Sequence, residues 1–385
     1  MKPPHSWALH WSHNISTEVS VNRSCKPLWQ QLGNTASDKF HLLFIRRTQR
    51  LRCMKRVGSA NRVFGALTIS CLSSVLPDHI TQLYLVNIMK RLWAMIILLA
   101  CSSLLAPAAQ ADLLRLTVGS TERLALVVNR PAPGEARPLV VVLHGGAGSA
   151  AAQRSRTGFD ALAQREGFMV VYPEGTSWGQ GMHAWNTGYL MRRQVGMVDD
   201  VAFLDALIDH LIAHHGADPK RVYMTGGSNG AMMTLVYATR RAERLAAIAP
   251  VVGAMFSFDE RPSRPLPILL INGALDDEVP IEGGMSRNPM VRRAQSAPYK
   301  SLQETIAFWL EVNRSAAEPV VKVEGSVTTR IWRASPGGAD TVSVVDVQAG
   351  HGWPGSGPTR RATAPSSTMS ATEAIWRFFS QHARP

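Results

Sequence analysis

Gly226-Gly227-Ser228-Asn229-Gly230 sets a serine among small residues, after an apolar run (RVYMT) and before a helix-like one (AMMTLVYATR). A serine at so sharp a strand-to-helix turn projects its hydroxyl above the end of a sheet. The small neighbours let the two backbones pass close together. A hydroxyl is a weak nucleophile at neutral pH, so the chemistry needs a base and a group that orients the base. With this kind of turn the acid follows the serine in the chain, and the histidine follows the acid. Only His351 and His382 come after Ser228. His351 lies in Ala349-Gly350-His351-Gly352-Trp353-Pro354-Gly355, where flanking glycines free an imidazole to reach the serine; His382 falls in a terminal helix pattern. The acid is expected at the carboxyl end of a strand between them, in Asn272-Gly273-Ala274-Leu275-Asp276-Asp277-Glu278. Spacing alone leaves three adjacent acids open. Asp276 is preferred and Asp277 is its rival, the remaining charges being read as solvated. Such a set performs acyl transfer at a carbonyl carbon.

Acyl transfer also needs donors for the oxygen that becomes negative. The apolar run PLVVVL leads into His144-Gly145-Gly146-Ala147-Gly148. The backbone N–H of Gly146 and that of Asn229, next to the nucleophile, are the expected pair, and they stabilise a tetrahedral intermediate by several kcal/mol, about 3–4 for one donor.

The elements that must carry these residues are legible as alternating strand and helix patterns. Leu114–Val118 and Arg123–Asn129 read as a leading hairpin, and Pro138–Leu143 as a strand buried on both faces. A helix near Gly158–Glu166, a strand Phe168–Tyr172, a helix Asp200–His214 and a strand Arg221–Met224 follow, then a helix from the serine turn to about Arg240. Strands at Ala246–Val251 and Leu266–Ile271, a helix Ser301–Val312, a hairpin Thr328–Arg333 and Thr341–Val347, and a last helix Ala371–His382 complete the series. Strands alternating with helices imply one mainly parallel central sheet with helices on both faces, an α/β class. Asp199 and Asp200 are expected to cap the helix they begin. His210 and His214 stand four apart without an accompanying Glu and are read as residues of an amphipathic helix, so no metal is expected. No cofactor is expected either.

Composition limits the other classes. The chain has 385 residues and a formal charge of +13, which suggests nucleic acid until it is located. Residues 1–88 carry 11 Lys/Arg against Glu18, Asp38 and Asp78, and Lys90 and Arg91 follow at once. The basicity therefore belongs to the front of the chain, and a nucleic-acid partner is rejected. Cys25, Cys53, Cys71 and Cys101 also precede residue 112. The remainder thus has no disulfide framework, thiolate metal site or cysteine nucleophile, and must rely on one large core. Met89-Lys90-Arg91, an apolar run to Leu105 and Ala109-Gln110-Ala111 have the parts of a secretory signal, too short to span a bilayer as a permanent helix. The expected organisation is an upstream mis-start or extension over 1–88, a signal peptide over 89–111 and a catalytic domain over 112–385, placing the mature protein in the periplasm or outside the cell. Leu98-Leu99-Ala100-Cys101 resembles a lipoprotein box, so a membrane is a partner only if Cys101 is lipidated.

VVVLHGGAGSA, FMVVYPEG, AWN, VDDVAFLDALIDHL, RVYMTGGSNGAMM, INGALDDEVP and GHGWPG together resemble the extracellular polyhydroxybutyrate-depolymerase-like and feruloyl-esterase group of α/β-hydrolases. The resemblance implies a single α/β-hydrolase domain with Ser228 as nucleophile, His351 as base and Asp276 as acid. It implies a cleft lined near Trp185 and Trp353, which are otherwise read as core aromatics, and an ester substrate, either a hydroxyalkanoate-type polyester or oligoester or a feruloyl or acetyl ester of the plant wall. Two departures stand out: the cysteines common in the group's glycine-rich turn and near its cleft tryptophan are missing, and Asn272 occupies the place of the usual histidine before the acid loop. The alternatives are a serine peptidase on the same scaffold and a glycan-binding protein that has lost catalysis.

Overall fold

The computed structural model describes residues 86–91, 93, 111–357, 367 and 369–384. The chain divides into two compact units, Met1–Leu104 and Leu105–Pro385. Of the first, the described residues 86–91 and 93 are helical. Most of the expected signal segment, Cys101 of the lipoprotein-like box, residues 1–85 and most of the Pro/Ser/Thr-rich loop after Gly357 lie outside the described residues.

The second unit opens with strands β1 (Asp112–Val118), β2 (Thr121–Val128) and β3 (Arg137–Leu143), followed by helices α1 (Ala150–Thr157) and α2 (Phe159–Glu166). Strands β4 (Met169–Pro173), β5 (Thr176–Gly179) and β6 (Met182–Ala184), and helices α3 (Arg192–Val195) and α4 (Asp200–His215), come next. Then β7 (Ala217–Gly227), α5 (Asn229–Arg241), β8 (Ala247–Val251), β9 (Ile268–Gly273), α6 (Pro289–Ala294) and α7 (Leu302–Asn313) lead to the closing elements. These are β10 (Val320–Glu324), β11 (Val327–Trp332), β12 (Thr341–Asp346) and α8 (Ala371–Phe379).

Ten strands form one sheet in the order β1-β2-β4-β3-β7-β8-β9-β12-β11-β10. The six inner strands from β4 to β12 pair in parallel, and the outer pairs are antiparallel. Side chains alternate across a strand, and the inner strands spend that alternation on two cores. Leu139, Val141 and Leu143 of β3 join the apolar cluster beneath α4, α5 and α7, with Leu204, Leu207, Met233 and Trp309. Val140 and Val142 face the other cluster, beneath α2 and α8, with Phe159, Leu162, Ile375 and Phe379. A strand buried on both faces has no polar side, which is why PLVVVL reads as a continuous apolar run. Each such side chain contributes about 1.5–3 kcal/mol. The fold is that of an α/β-hydrolase.

Several elements differ from the sequence expectation. The glycine turn after β3 runs into an extra helix, α1, capped by Ser149, whose side chain accepts the Ala152 N–H. Its residues AAAQRSRT have no apolar period to announce it. The β5–β6 hairpin and the edge strand β10 were also silent, being too short or wholly exposed. The last helix stops at Phe379, so His382 lies beyond it. Asp199 does cap α4, accepting the Ala202 N–H at 2.9 Å. Asp200 does not: it is buried, and its Oδ1 accepts from Arg123 of β2 at 2.8 Å while Oδ2 accepts the Asn186 N–H at 2.7 Å.

Candidate active site

Strand β7 delivers Ser228 to the carboxyl end of the sheet, and α5 starts immediately after it. Ser228 has φ 55° and ψ −119°, a conformation that costs a non-glycine residue about 1–3 kcal/mol. Its N–H is secured by the Val251 carbonyl at 3.0 Å. Gly230 is needed because a Cβ there would stand 2.5 Å from the His144 carbonyl oxygen. The strained turn thus exists because two glycine-bearing segments, β3–α1 and β7–α5, touch backbone to backbone.

The acid and the histidine arrive on loops after neighbouring strands. β9 ends at Gly273 and β12 at Asp346, and these two pair in parallel. The loops are laced together by Ala274 N–H to Asp346 O and Leu275 N–H to Ala349 O, each 2.9 Å. A Cβ on Gly273 would overlap the Ala349 carbonyl. This lacing sets Asp276 Oδ2 2.8 Å from His351 Nδ1. Asp276 is 1% exposed, and its other oxygen accepts the N–H groups of Glu278 and Val279 at 2.9 and 2.8 Å. The His351 ring nitrogen is met by Asp276 and not by Asp277, whose backbone carbonyl accepts the Arg287 N–H at 2.9 Å. Burial pulls the His351 pKa down, but the adjoining Asp276 charge and hydrogen bond, helped by Glu278 and Asp277, outweigh it and hold it above the ordinary histidine value.

Glu278 is a functional candidate that sequence reasoning passed over as a solvated charge. Its Oε2 lies 3.5 Å from His351 Nε2, and its side chain is largely buried at the cleft wall. A run of three acids gives no signal of which one turns inward.

Gly146 lines the cleft and packs against Asn229 behind it: a Cβ on Gly146 would be 3.6 Å from Asn229 Cβ. Asn229 is wholly buried at the first turn of α5, where backbone N–H groups have no intrahelical acceptor. Its side chain grips the Trp185 backbone, accepting the N–H at 2.8 Å and donating to the carbonyl at 3.1 Å.

Trp185 corrects an expectation. It does not line the cleft: it is 0% exposed, stacked on Phe203, with its indole N–H donating to the His144 carbonyl at 2.9 Å. Its large apolar surface belongs to the core, and its polar tip fastens the glycine turn from below. His144 itself is pulled down to about 4 by burial, so it stays neutral; its Nδ1–H donates to Gly145 O at 2.8 Å and its Nε2 accepts the Gly175 N–H at 2.9 Å. Trp353 is also largely buried, 4% exposed, packed on Phe159 with its indole N–H donating to the Thr372 hydroxyl at 3.0 Å, and only its edge reaches a cleft of about 420 Å³ that also contains Gly146, Ser228, Glu278 and His351. Among the described residues no group of three or more His, Cys, Asp or Glu is arranged to hold a metal ion.

A parallel sheet covered on both faces, with a serine at the turn after its central strand, defines an α/β-hydrolase. Residues 123–279 match the family model described as esterase PHB depolymerase. NocK of Nocardia uniformis subsp. tsuyamanensis, which carries the name of an esterase, is 32% identical over 237 residues, 58% of this chain and 68% of that protein. A bifunctional acetylxylan esterase/xylanase of Neocallimastix patriciarum is 34% identical over 36% of this chain and 19% of its own length. Poly(3-hydroxyalkanoate) depolymerase C of Paucimonas lemoignei is 36% identical over 31% of this chain and 28% of its own. The chain thus spans less than a third of the length of these last two. It belongs to the esterase PHB depolymerase family and is a carboxylic ester hydrolase.

Proposed function

We propose that this protein is an exported serine esterase in which Ser228, His351 and Asp276 form the catalytic triad. The observation that carries the reading is the Asp276–His351 pair, 2.8 Å apart, opening into the same cleft as the strained Ser228. Ser228 Oγ attacks the ester carbonyl while His351 Nε2 takes its proton. Asp276, accepting from Nδ1–H, fixes the tautomer and stabilises the imidazolium. The N–H groups of Gly146 and Asn229 hold the oxyanion. His351 then protonates the departing alcohol, and water, activated by the same imidazole, releases the acid. Every step uses side chains and backbone of this chain.

The substrate is a hydroxyalkanoate-type polyester or oligoester, or an acetyl or feruloyl ester of the plant wall. Export rests on the basic and apolar residues of 89–111, with membrane attachment only through Cys101 if it is lipidated. The purified chain assayed on short p-nitrophenyl esters, methyl ferulate and soluble hydroxybutyrate oligomers tests the reading. Ser228→Ala is expected to reduce kcat by at least about a thousandfold while leaving thermal unfolding intact. Turnover surviving in that variant sinks the assignment, and the ranking of substrates chooses between the polyester and wall-ester classes.

A further inference from the structure

Gln153 on α1 is unexplained by the fold or by acyl transfer. It is 6% exposed, and its side-chain Nε2 is buried without a hydrogen-bond partner among the described residues. Leaving such a donor unpaired costs about 1–3 kcal/mol, and folded proteins keep few. Its backbone is fully engaged: the N–H donates to Ser149 O and the carbonyl accepts the Thr157 hydroxyl, each at 3.0 Å. The helix therefore fixes the backbone at Gln153, while the side-chain Nε2 is left without a partner among the described residues.

That amide lines the cleft beside the nucleophile. Gly227, preceding Ser228, has no side chain, and a Cβ built there would lie 3.9 Å from Gln153 Nε2 and 3.7 Å from Trp353 Cε3. The bare backbone at 227 thus leaves room for about one carbon-sized group between the Gln153 amide nitrogen and the Trp353 edge. Arg156 follows three residues later on the same helical face. It too lines the cleft and is exposed, whereas its neighbour Arg154 is taken up by Asp160. Glu278 at His351 Nε2 gives the cleft its negative wall. An oxygen-rich or anionic substituent is repelled from that wall and attracted to α1.

We infer that Gln153 and Arg156 form a donor subsite for a second acceptor oxygen of the substrate, a carbonyl or carboxylate, while the scissile carbonyl sits over Ser228. The inference rests on the serine-esterase reading and narrows it. The substrate class is esters that carry another carbonyl or carboxylate oxygen near the scissile bond, in preference to simple acetyl or aryl esters. Gln153 supplies the neutral donor, and Arg156 adds a charge-assisted one at the rim when the oxygen is ionised.

The test uses the full chain with three probes: the linear trimer of 3-hydroxybutyrate as free acid, the same trimer with its end converted to a carboxamide, and p-nitrophenyl acetate. Gln153→Leu is expected to lower kcat/KM for both trimers about tenfold relative to p-nitrophenyl acetate, chiefly through KM. Gln153→Glu exchanges the donor for a carboxylate at equal size and lowers the free acid more than the carboxamide. Arg156→Gln lowers the free-acid-to-carboxamide ratio about threefold, an effect that added salt removes. Unchanged trimer-to-acetate ratios in both Gln153 variants, with wild-type thermal unfolding, overturn the subsite. Ser228-dependent turnover of p-nitrophenyl acetate by a wild type that cleaves neither trimer overturns the subsite and leaves the esterase standing. Loss of all three activities in the wild type overturns the reading beneath it.

Discussion

The imidazole of His351 stands between two carboxylates with different consequences. Asp276 meets Nδ1 at 2.8 Å and favours the tautomer that leaves Nε2 open to a proton; Glu278 approaches Nε2 itself at 3.5 Å. Both charges favour the imidazolium, and with Asp277 they overcome the effect of burial and raise its pKa. In the proposed triad His351 is the base and must be unprotonated, so activity is expected to fall as pH drops through that raised value. The acid limb of kcat/KM is expected above the ordinary histidine value of about 6.5. Glu278→Gln removes one of the raising charges and should move the limb to lower pH, as a pH–rate profile on p-nitrophenyl acetate would register. An unmoved limb would mean that Glu278 does not act on His351. At this scale chain order and turn type are what point to Ser228 and His351, the residues that the proposed triad uses. The choice among Asp276, Asp277 and Glu278 is made by loop backbone, which turns successive side chains in different directions.

At the scale of elements, the joint between β2 and α4 is the most exacting. Arg123 and Asp200 are 2.8 Å apart with side chains 6% and 0% exposed, and the Arg123 guanidinium lies 4.0 Å from the Phe203 ring centroid. Burial raises the Asp200 pKa even against the opposing Arg123 charge. Removing one partner strands the other, so Arg123→Ala is expected to cost about 3–5 kcal/mol. Thermal unfolding would report this as a large drop in Tm, and the Arg123→Met, Asp200→Leu pair should lose less than Arg123→Ala alone. The two aspartates show the limit of local reading. Asp199 and Asp200 both look like caps in sequence, and only the neighbouring strand, 77 residues away in the pairing, separates the cap from the buried ion. Helix α1 shows the same limit, since its sequence has helix-forming residues but no apolar stripe, and its stability comes from packing on β3 and β4.

For the whole molecule, the described sheet begins with β1 at Asp112, directly after Ala109-Gln110-Ala111. With export proposed through 89–111, the secreted protein is expected to start at Asp112. Intact mass and N-terminal sequencing of material from the native host check this, and a recovered peptide from residues 1–88 would contradict it. Among the described residues no helix is long and apolar enough to cross a membrane. The parallel sheet also explains why the site is assembled from segments so far apart. Parallel neighbours end on the same edge, so the turns after β3, β7, β9 and β12 meet there in one cleft.

The sequence by itself determined the α/β architecture, because the strands buried on two faces and the longer helices buried on one leave clear apolar periods. It also determined the serine turn, because the close approach of two backbones requires glycines at set positions. Tertiary structure alone decided the rest. It buried both Trp185 and Trp353, leaving only an edge of Trp353 at the cleft. It selected Asp276 to meet His351, turned Glu278 inward, and left the Gln153 amide unpaired beside Ser228. The direction and partnering of a single polar side chain depend on contacts distant in the chain, and no local pattern of residue types records them.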